Sequence, residues 1–356
     1  MSAPVPHACR RILLLLNYCV VAIGIAPTAA AEHWPRWRGP TGNAVSSAKG
    51  LPFQWDATKN IRWKAAIPGE GSSSPIVHGD RIFLTSAEDG GTKRLVRCLD
   101  RKTGRIVWSK SIADKNPEPT SALTGHAAAT PVTDGQRVVA FFGNAGAVCY
   151  DVSGKKLWQR SFGDFESELG FASSPILVGE LAILLCDHDG DRFHSFDSFL
   201  IALDVKTGKT VWKTERRGLF RSWSTPIVVT TKSGRKELVA SAQDALRAYD
   251  PKTGRELWKV AGLTGWVTPT PVFAGGLILA TSGKTGPVLA VRPGGDGDVT
   301  KSHVAWKRER QGAYVCSPVC YRGLLYVHSE AGVLTCYDAK TGKTVYRKRL
   351  DGKFFA

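Results

Sequence analysis

The stretch Ala202-Leu203-Asp204-Val205-Lys206-Thr207-Gly208-Lys209-Thr210-Val211-Trp212 decides how this chain is read. An Asp four residues before a Gly marks a tight turn. The carboxylate can cap the turn's backbone N–H groups, and the Gly takes the left-handed conformation. The Trp then lies on the strand leaving the turn. The pattern returns from Asp100 to Trp108, Asp151 to Trp158, Asp250 to Trp258 and Asp338 to Tyr346. One repeat departs, with Arg292-Pro-Gly-Gly-Asp-Gly-Asp298 before Trp306.

Upstream of each turn stands a Ser-Pro or Thr-Pro pair, at Ser74, Thr130, Ser174, Thr225, Thr270 and Ser317. Proline cannot donate to a sheet ladder, so it suits the first residue of a strand. The runs between are short and rich in Val, Ile and aromatics, as in Arg81-Ile-Phe-Leu-Thr85 and Leu324-Leu-Tyr-Val327, and Gly-containing turns such as His78-Gly79-Asp80 separate them. Counting Trp63, the closing aromatics recur every 40 to 54 residues. That interval suits a four-stranded blade, whereas helical repeats of this length would carry period-3.6 stripes without frequent Gly. The reading is an all-β chain, a β-propeller of four-stranded blades with six complete blades. Trp63, Trp108, Trp158, Trp212, Trp258 and Trp306 are its expected blade-docking residues, each burying about 150–250 Å².

At the N-terminus, Arg10-Arg11 precede an apolar run from Ile12 to Ala26, then Pro27 and Ala29-Ala30-Ala31. This reads as a secretory signal peptide over residues 1–31, with an uncleaved anchor as the alternative, and residues 32–356 as the propeller. Its removal takes away Cys9, Cys19, Arg10 and Arg11, so the mature net charge becomes +15 and six Cys remain. Cys98, Cys149 and Cys336 recur one or two residues before a turn Asp, the mark of a small apolar niche. A disulfide from Cys316 or Cys320 to Cys336 stays open. The basic residues are spread along outer strands, as in Arg347-Lys348-Arg349, which describes a solvated surface. The other reading is attraction to anionic envelope polymers or acidic proteins. Nucleic acid is not an expected partner, because no stacking motif accompanies the basic segments.

Trp63 sits on Ile61-Arg-Trp-Lys-Ala-Ala-Ile67, an outer-type strand with no inner strands before it. It is expected to close the ring by joining the last blade. Another Ser-Pro opening would be due near Lys353-Phe-Phe-Ala356, so the six blades are read as part of a seven- or eight-bladed, C-terminally truncated ring. The rival is six blades that close alone.

His33-Trp-Pro-Arg-Trp-Arg-Gly-Pro40, Asn60-Ile-Arg-Trp-Lys64, Pro68-Gly-Glu-Gly-Ser-Ser-Ser-Pro75 and the Ala-x-Asp-x-x-Thr-Gly-x-x-x-Trp element carry a resemblance. Over nearly all of residues 33–356 the chain resembles the exported pyrroloquinoline-quinone-like (PQQ-like) β-propeller repeat proteins of planctomycete-type bacteria. These are similar in blade design to outer-membrane protein assembly factor B and to quinoprotein alcohol dehydrogenases. The resemblance implies the fold, and the element behind it docks blades without touching a cofactor. A quinoprotein would be expected to carry adjacent cysteines and a Ca²⁺ site of Glu, Asn and Asp. This chain has no adjacent cysteines, although Asn144 and Asp187 could be cast as ligands. Asp187, Asp189 and Asp191 form the most acidic loop, a weak candidate for Ca²⁺ and otherwise a solvated turn.

In a propeller the crossings between blades and the middle hairpins share one face around the axis. The crossings bring His126, Phe171, Arg221, Trp223, Trp266 and Tyr314 toward that face, a candidate surface for a ligand or partner. The bland alternative is that they plug the channel. Glu88, Asn144, His188, Gln243, Lys284 and Glu330 would form the rim. No nucleophile or acid/base pair can be read, so no catalytic residue is named. The expectation is an exported, monomeric, non-catalytic scaffold without cofactor, peripheral to the membrane at most, that binds proteins or peptides of the periplasm or cell envelope. The alternative is a PQQ- and Ca²⁺-dependent dehydrogenase oxidising an alcohol or sugar.

Overall fold

In the computed structural model the described residues are 1, 33–121, 124–165, 167–188, 197–219, 222–283 and 286–352. They form six antiparallel blades of four strands. Blade 1 comprises Ile76–His78, Arg81–Glu88, Lys93–Asp100 and Ile106–Ala113. Blade 2 comprises Val132–Thr133, Arg137–Phe141, Ala147–Asp151 and Lys156–Arg160. Blade 3 comprises Ile176–Val178, Leu181–Cys186, Phe199–Asp204 and Thr210–Glu215. Blade 4 comprises Ile227–Thr230, Lys236–Ser241, Ala245–Tyr249 and Glu256–Ala261. Blade 5 comprises Val272–Ala274, Leu277–Thr281, Val288–Val291 and Val304–Arg308, and its irregular turn adds Gly297–Asp298 in parallel to the outer strand of blade 4. Blade 6 comprises Val319–Tyr321, Leu324–His328, Val333–Asp338 and Thr344–Arg349. The chain is thus an all-β propeller protein, and its apolar cores lie between successive blades.

The turn chemistry explains the outer hairpin of every blade but the fifth. Asp204 Oδ1 accepts from Thr207 N at 2.8 Å and Thr207 Oγ1 at 2.7 Å, and Asp100 and Asp338 cap their turns alike. The turn Gly then lies against the Trp of the preceding blade. Gly208 has φ +70°, and a Cβ there would fall 2.7 Å from the Trp158 ring. The indole Nε1 donates to the carbonyl one residue past the turn Asp: Trp108 to Val152 at 3.1 Å, Trp158 to Val205 at 2.9 Å, Trp212 to Pro251 at 3.1 Å and Trp306 to Ala339 at 3.0 Å. Trp258 departs, because blade 5 lacks the turn that would receive it. It is fully buried and donates instead to Glu237 Oε2 of its own blade at 2.9 Å.

Across the sheet from these aromatics stands a small residue: Cys98, Cys149 and Cys336 in blades 1, 2 and 6, and Ala202, Ala248 and Ala290 in blades 3, 4 and 5. Cysteine and alanine share one niche. Burial pushes the Cys149 thiol up to about 12 and that of Cys98 up to about 11. All six described cysteines are free, so the disulfide left open at Cys336 does not form. Cys320 lies opposite Leu325 and packs toward blade 5, whereas Cys336 lies opposite Tyr326 and Tyr346 on the other face of the sheet.

Trp63 docks on blade 1 as a preceding blade's Trp would, donating to Arg101 O at 2.9 Å with its ring against Gly104. The expected outer strand around it is not formed. Residues 61–67 carry no sheet pairing, since a strand needs a neighbour for its N–H and C=O groups and none lies beside it among the described residues. On blade 6, the face that would meet a following blade leaves Tyr346 44 % exposed, and the whole strand Thr344–Arg349 is exposed. The segment 2–32, which includes nearly all of the expected signal peptide, lies outside the described residues. Among the described residues no helix is long and apolar enough to cross a membrane.

Candidate functional site

Beside the Pro, the Ser or Thr hydroxyls of the openings from Thr130 onward have a role of their own. Ser74 N donates to Thr130 Oγ1 at 2.9 Å, Thr130 N to Ser174 Oγ at 3.0 Å, Ser174 N to Thr225 Oγ1 at 3.0 Å, and Thr270 N to Ser317 Oγ at 3.0 Å. Every hydroxyl in this series accepts the N–H of the preceding blade. Together they make a polar collar around the axis that ties the innermost strands together.

A strap from the N-terminus crosses the axis from the side of the first hairpins. Trp34 pairs with Val77 of blade 1, Pro35 O accepts Thr133 N of blade 2 at 2.9 Å, and Asn43 exchanges hydrogen bonds with Phe273 of blade 5. Arg38, 8 % exposed, donates to the carbonyls of Gly42, Asn43 and Pro318, and burial lowers its pKa to about 10. Between these anchors Trp37 turns its indole into the channel, where Nε1 donates to Thr270 Oγ1 at 3.0 Å.

Above Trp37 lies a cavity of about 380 Å³, walled by Trp223, Trp266 and Tyr314 and by collar hydroxyls such as Thr225 and Ser317. Trp37 closes its base, so the channel becomes a cup open toward the crossing loops. The Trp223 and Trp266 rings stack at 5.9 Å and 27°, and Trp266 meets Tyr314 edge-on at 6.4 Å. Trp223 Nε1 donates to Gly170 O at 2.8 Å. Trp266 has φ +64°, a left-handed conformation costing a bulky residue about 1–2 kcal/mol, and such strain concentrates at functional sites. None of the described lining side chains carries a charge.

Of the six residues expected on this face, Trp223, Trp266 and Tyr314 therefore converge. His126 and Phe171 do not line the cup. Phe171 is buried between blades 2 and 3 against Phe141 at 5.7 Å and Phe165 at 4.7 Å. His126 folds back over Gly91, its Nε2 3.0 Å from Glu118 O. Arg221 lies outside the described residues, as do Asp189, Asp191 and Lys284. Trp37 is a lining residue that the local sequence does not single out. Its stretch Trp34-Pro-Arg-Trp37 carries a family resemblance, and local pattern holds no sign of a contact with a residue 233 positions away.

The polar groups cast as calcium ligands are committed elsewhere. Asp187 is buried and bidentate with Arg216, at 2.8 and 2.9 Å, and Arg216 also donates to Tyr249 Oη. Burial works against the Arg216 charge, but Asp187 outweighs it and holds the guanidinium above its usual range. Asn144 donates to Asn116 O at 2.8 Å and accepts Phe165 N at 2.6 Å. A second buried cluster joins Arg94 to Asp114 at 2.7 Å and Glu118 at 2.8 Å, and burial raises the Glu118 pKa against the pull of Arg94. On the rim, Glu88 pairs with Lys93 and Arg97, and Glu330 accepts Val315 N. The described residues hold no metal-binding group of three or more His, Cys, Asp or Glu. An aromatic base would suit a planar ring, but PQQ with Ca²⁺ brings carboxylates and a divalent cation that these uncharged walls do not match.

Comparisons agree with the fold. The profile of the family described as outer membrane protein assembly factor BamB matches residues 41–198, 196–312 and 284–356. Outer membrane protein assembly factor BamB of Burkholderia pseudomallei is 23% identical over 302 residues, covering 80% of this chain and 68% of that protein. Polyvinylalcohol dehydrogenase of Sphingopyxis sp. is 26% identical over 261 residues, covering 69% of this chain and 35% of the dehydrogenase. A second polyvinylalcohol dehydrogenase, from Pseudomonas sp., is matched over 40% of its length, so the chain spans well under half of these two relatives. The crystal structure of BamB from Moraxella catarrhalis superposes with a TM-score of 0.52 at 17% identity, covering 78% of this chain and 73% of that one. A europium-containing methanol dehydrogenase also gives 0.52, at 12% identity, covering 90% and 86%. The chain belongs to the family described as outer membrane protein assembly factor BamB, as a β-propeller of PQQ-like repeats.

Proposed function

We propose that this chain is a non-catalytic binding scaffold, exported to the cell envelope, whose crossing-loop face receives a partner protein around the axial cup. The observation that carries the reading is the composition of the cup: aromatic rings and hydroxyls with no charged side chain among the described lining, a surface suited to binding. Membership of a family described as an assembly factor supports it. Likeness to dehydrogenases keeps a quinoprotein as the competing reading.

The test places a photo-crosslinker at Thr268, in the cup wall, or at Val211, exposed on an outer strand, in cells. The expected result is one envelope-protein adduct of defined mass from position 268 and none from 211. Calorimetric binding of PQQ with Ca²⁺, together with alcohol-dependent dye reduction, would overturn the scaffold reading.

A further inference from the structure

We propose that the axial cup binds a neutral sugar ring of a glycan. The inference rests on the reading of the crossing-loop face as a binding face, and it assigns the cup its own ligand. Three properties of the lining select the ligand. First, the described walls are uncharged, so an ionic group would lose its hydration there without gaining a charged partner among them.

Second, the collar oxygens are already engaged as acceptors. Ser174 accepts Thr130 N, Thr225 accepts Ser174 N, Ser317 accepts Thr270 N, and Thr270 accepts the Trp37 indole. What each has left for a ligand is its O–H proton and one further lone pair. A collar of hydroxyls that can both donate and accept calls for a ligand rich in hydroxyl groups of its own, and a purely apolar guest would leave the collar's O–H groups dry.

Third, the flat surfaces are Trp37 at the base and Trp223, Trp266 and Tyr314 on the walls. Aromatic faces carry negative quadrupole charge, and the C–H faces of a pyranose present weakly positive hydrogens that pack on them. A pyranose combines such apolar faces with a hydroxyl rim and carries no charge. At about 380 Å³ the cup lies in the lower part of the ligand-site range of roughly 300–1,000 Å³, a size that encloses a sugar unit. The left-handed backbone at Trp266 holds its ring between Trp223 and Tyr314, which marks a built site.

The experiment titrates the chain with cellobiose, maltose and N,N′-diacetylchitobiose, and with glucuronic acid as the charged control, following tryptophan fluorescence and heat. The expected result is saturable binding of at least one neutral disaccharide, with glucuronic acid bound far more weakly. Trp266→Ala should weaken binding about tenfold or more, the loss expected for one stacking face. Thr268→Lys, which places a charge in the wall while keeping every aromatic ring, should abolish binding with an unchanged melting temperature. No saturable response to any neutral sugar, equal affinity for glucuronic acid, or full binding by folded Thr268→Lys would each overturn the proposal. Loss of sugar binding alongside an intact position-268 protein adduct sinks this inference alone, and sugar binding without an adduct sinks the protein-scaffold reading alone.

Discussion

Trp158 and Tyr346 occupy the same position in two blades, each facing a Cys across the sheet, and they differ in what covers them. Trp158 is 7 % exposed, donates to Val205 O and carries Gly208 on its ring, whereas Tyr346 is 44 % exposed. Burying about 150–250 Å² of indole at roughly 25 cal/mol per Å² is worth about 4–6 kcal/mol. Truncation to Ala keeps the Cβ but opens a cavity, so Trp158→Ala should cost about 3–5 kcal/mol. Tyr346→Ala removes a ring with little to leave behind and should cost about 1 kcal/mol. Equilibrium urea unfolding followed by far-ultraviolet circular dichroism gives both values from the midpoint shift and the slope. Equal costs would refute the argument, because they would mean that the blade 6 face is covered as the blade 2 face is. A Trp158→Ala cost below about 1 kcal/mol would refute the docking role itself.

Gly208→Ala combines a left-handed backbone with a Cβ 2.7 Å from Trp158 and should cost at least about 2 kcal/mol, against about 1 for Gly179→Ala, where φ is +59° and the space is open; thermal melts compare them. Glu237→Ala strands the Trp258 indole N–H, takes the acceptor from Gly294 N and leaves Arg235 with the Gly295 carbonyl, and it should destabilise by about 2–3 kcal/mol in the same urea assay. For pH, burial lowers the His188 pKa below its usual 6.5. The unfolded chain then binds the extra proton first, so the stability His188 contributes is complete above pH 6.5 and is lost as pH falls toward its folded value. Melting temperatures from pH 7.5 to 5.5 should therefore fall less steeply for His188→Gln than for the parent chain.

The repeat contacts that hold the scaffold together are separate from the loops that line the cup. Each repeat spends its distinctive residues, Asp, Gly and Trp, on joining blades, and these contacts would serve any propeller of this design. The crossing loops are free of that duty, and there the aromatic residues of blades 4 to 6 gather over the axis.

The sequence by itself determined the blade. The turn Asp and Gly act within about five residues of one another, and the small residue opposite Trp is set by strand register, so both are written in local spacing. Only the tertiary structure decided the cup. His126 and Phe171 stand just ahead of their Thr-Pro and Ser-Pro pairs much as Trp266 does, but the longer crossings into blades 2 and 3 fold them inward against Glu118 and Phe165. Asp187 reads as an exposed acidic loop until Arg216, 29 residues on, meets it in the interior. Trp258 reads like every other repeat Trp until the irregular turn of blade 5 leaves it to Glu237. Trp37 reaches the axis because the N-terminal strap is held by blades 1, 2, 5 and 6 together. Turn and strand preferences are properties of neighbouring residues, whereas the direction of a loop side chain depends on packing among blades far apart in sequence.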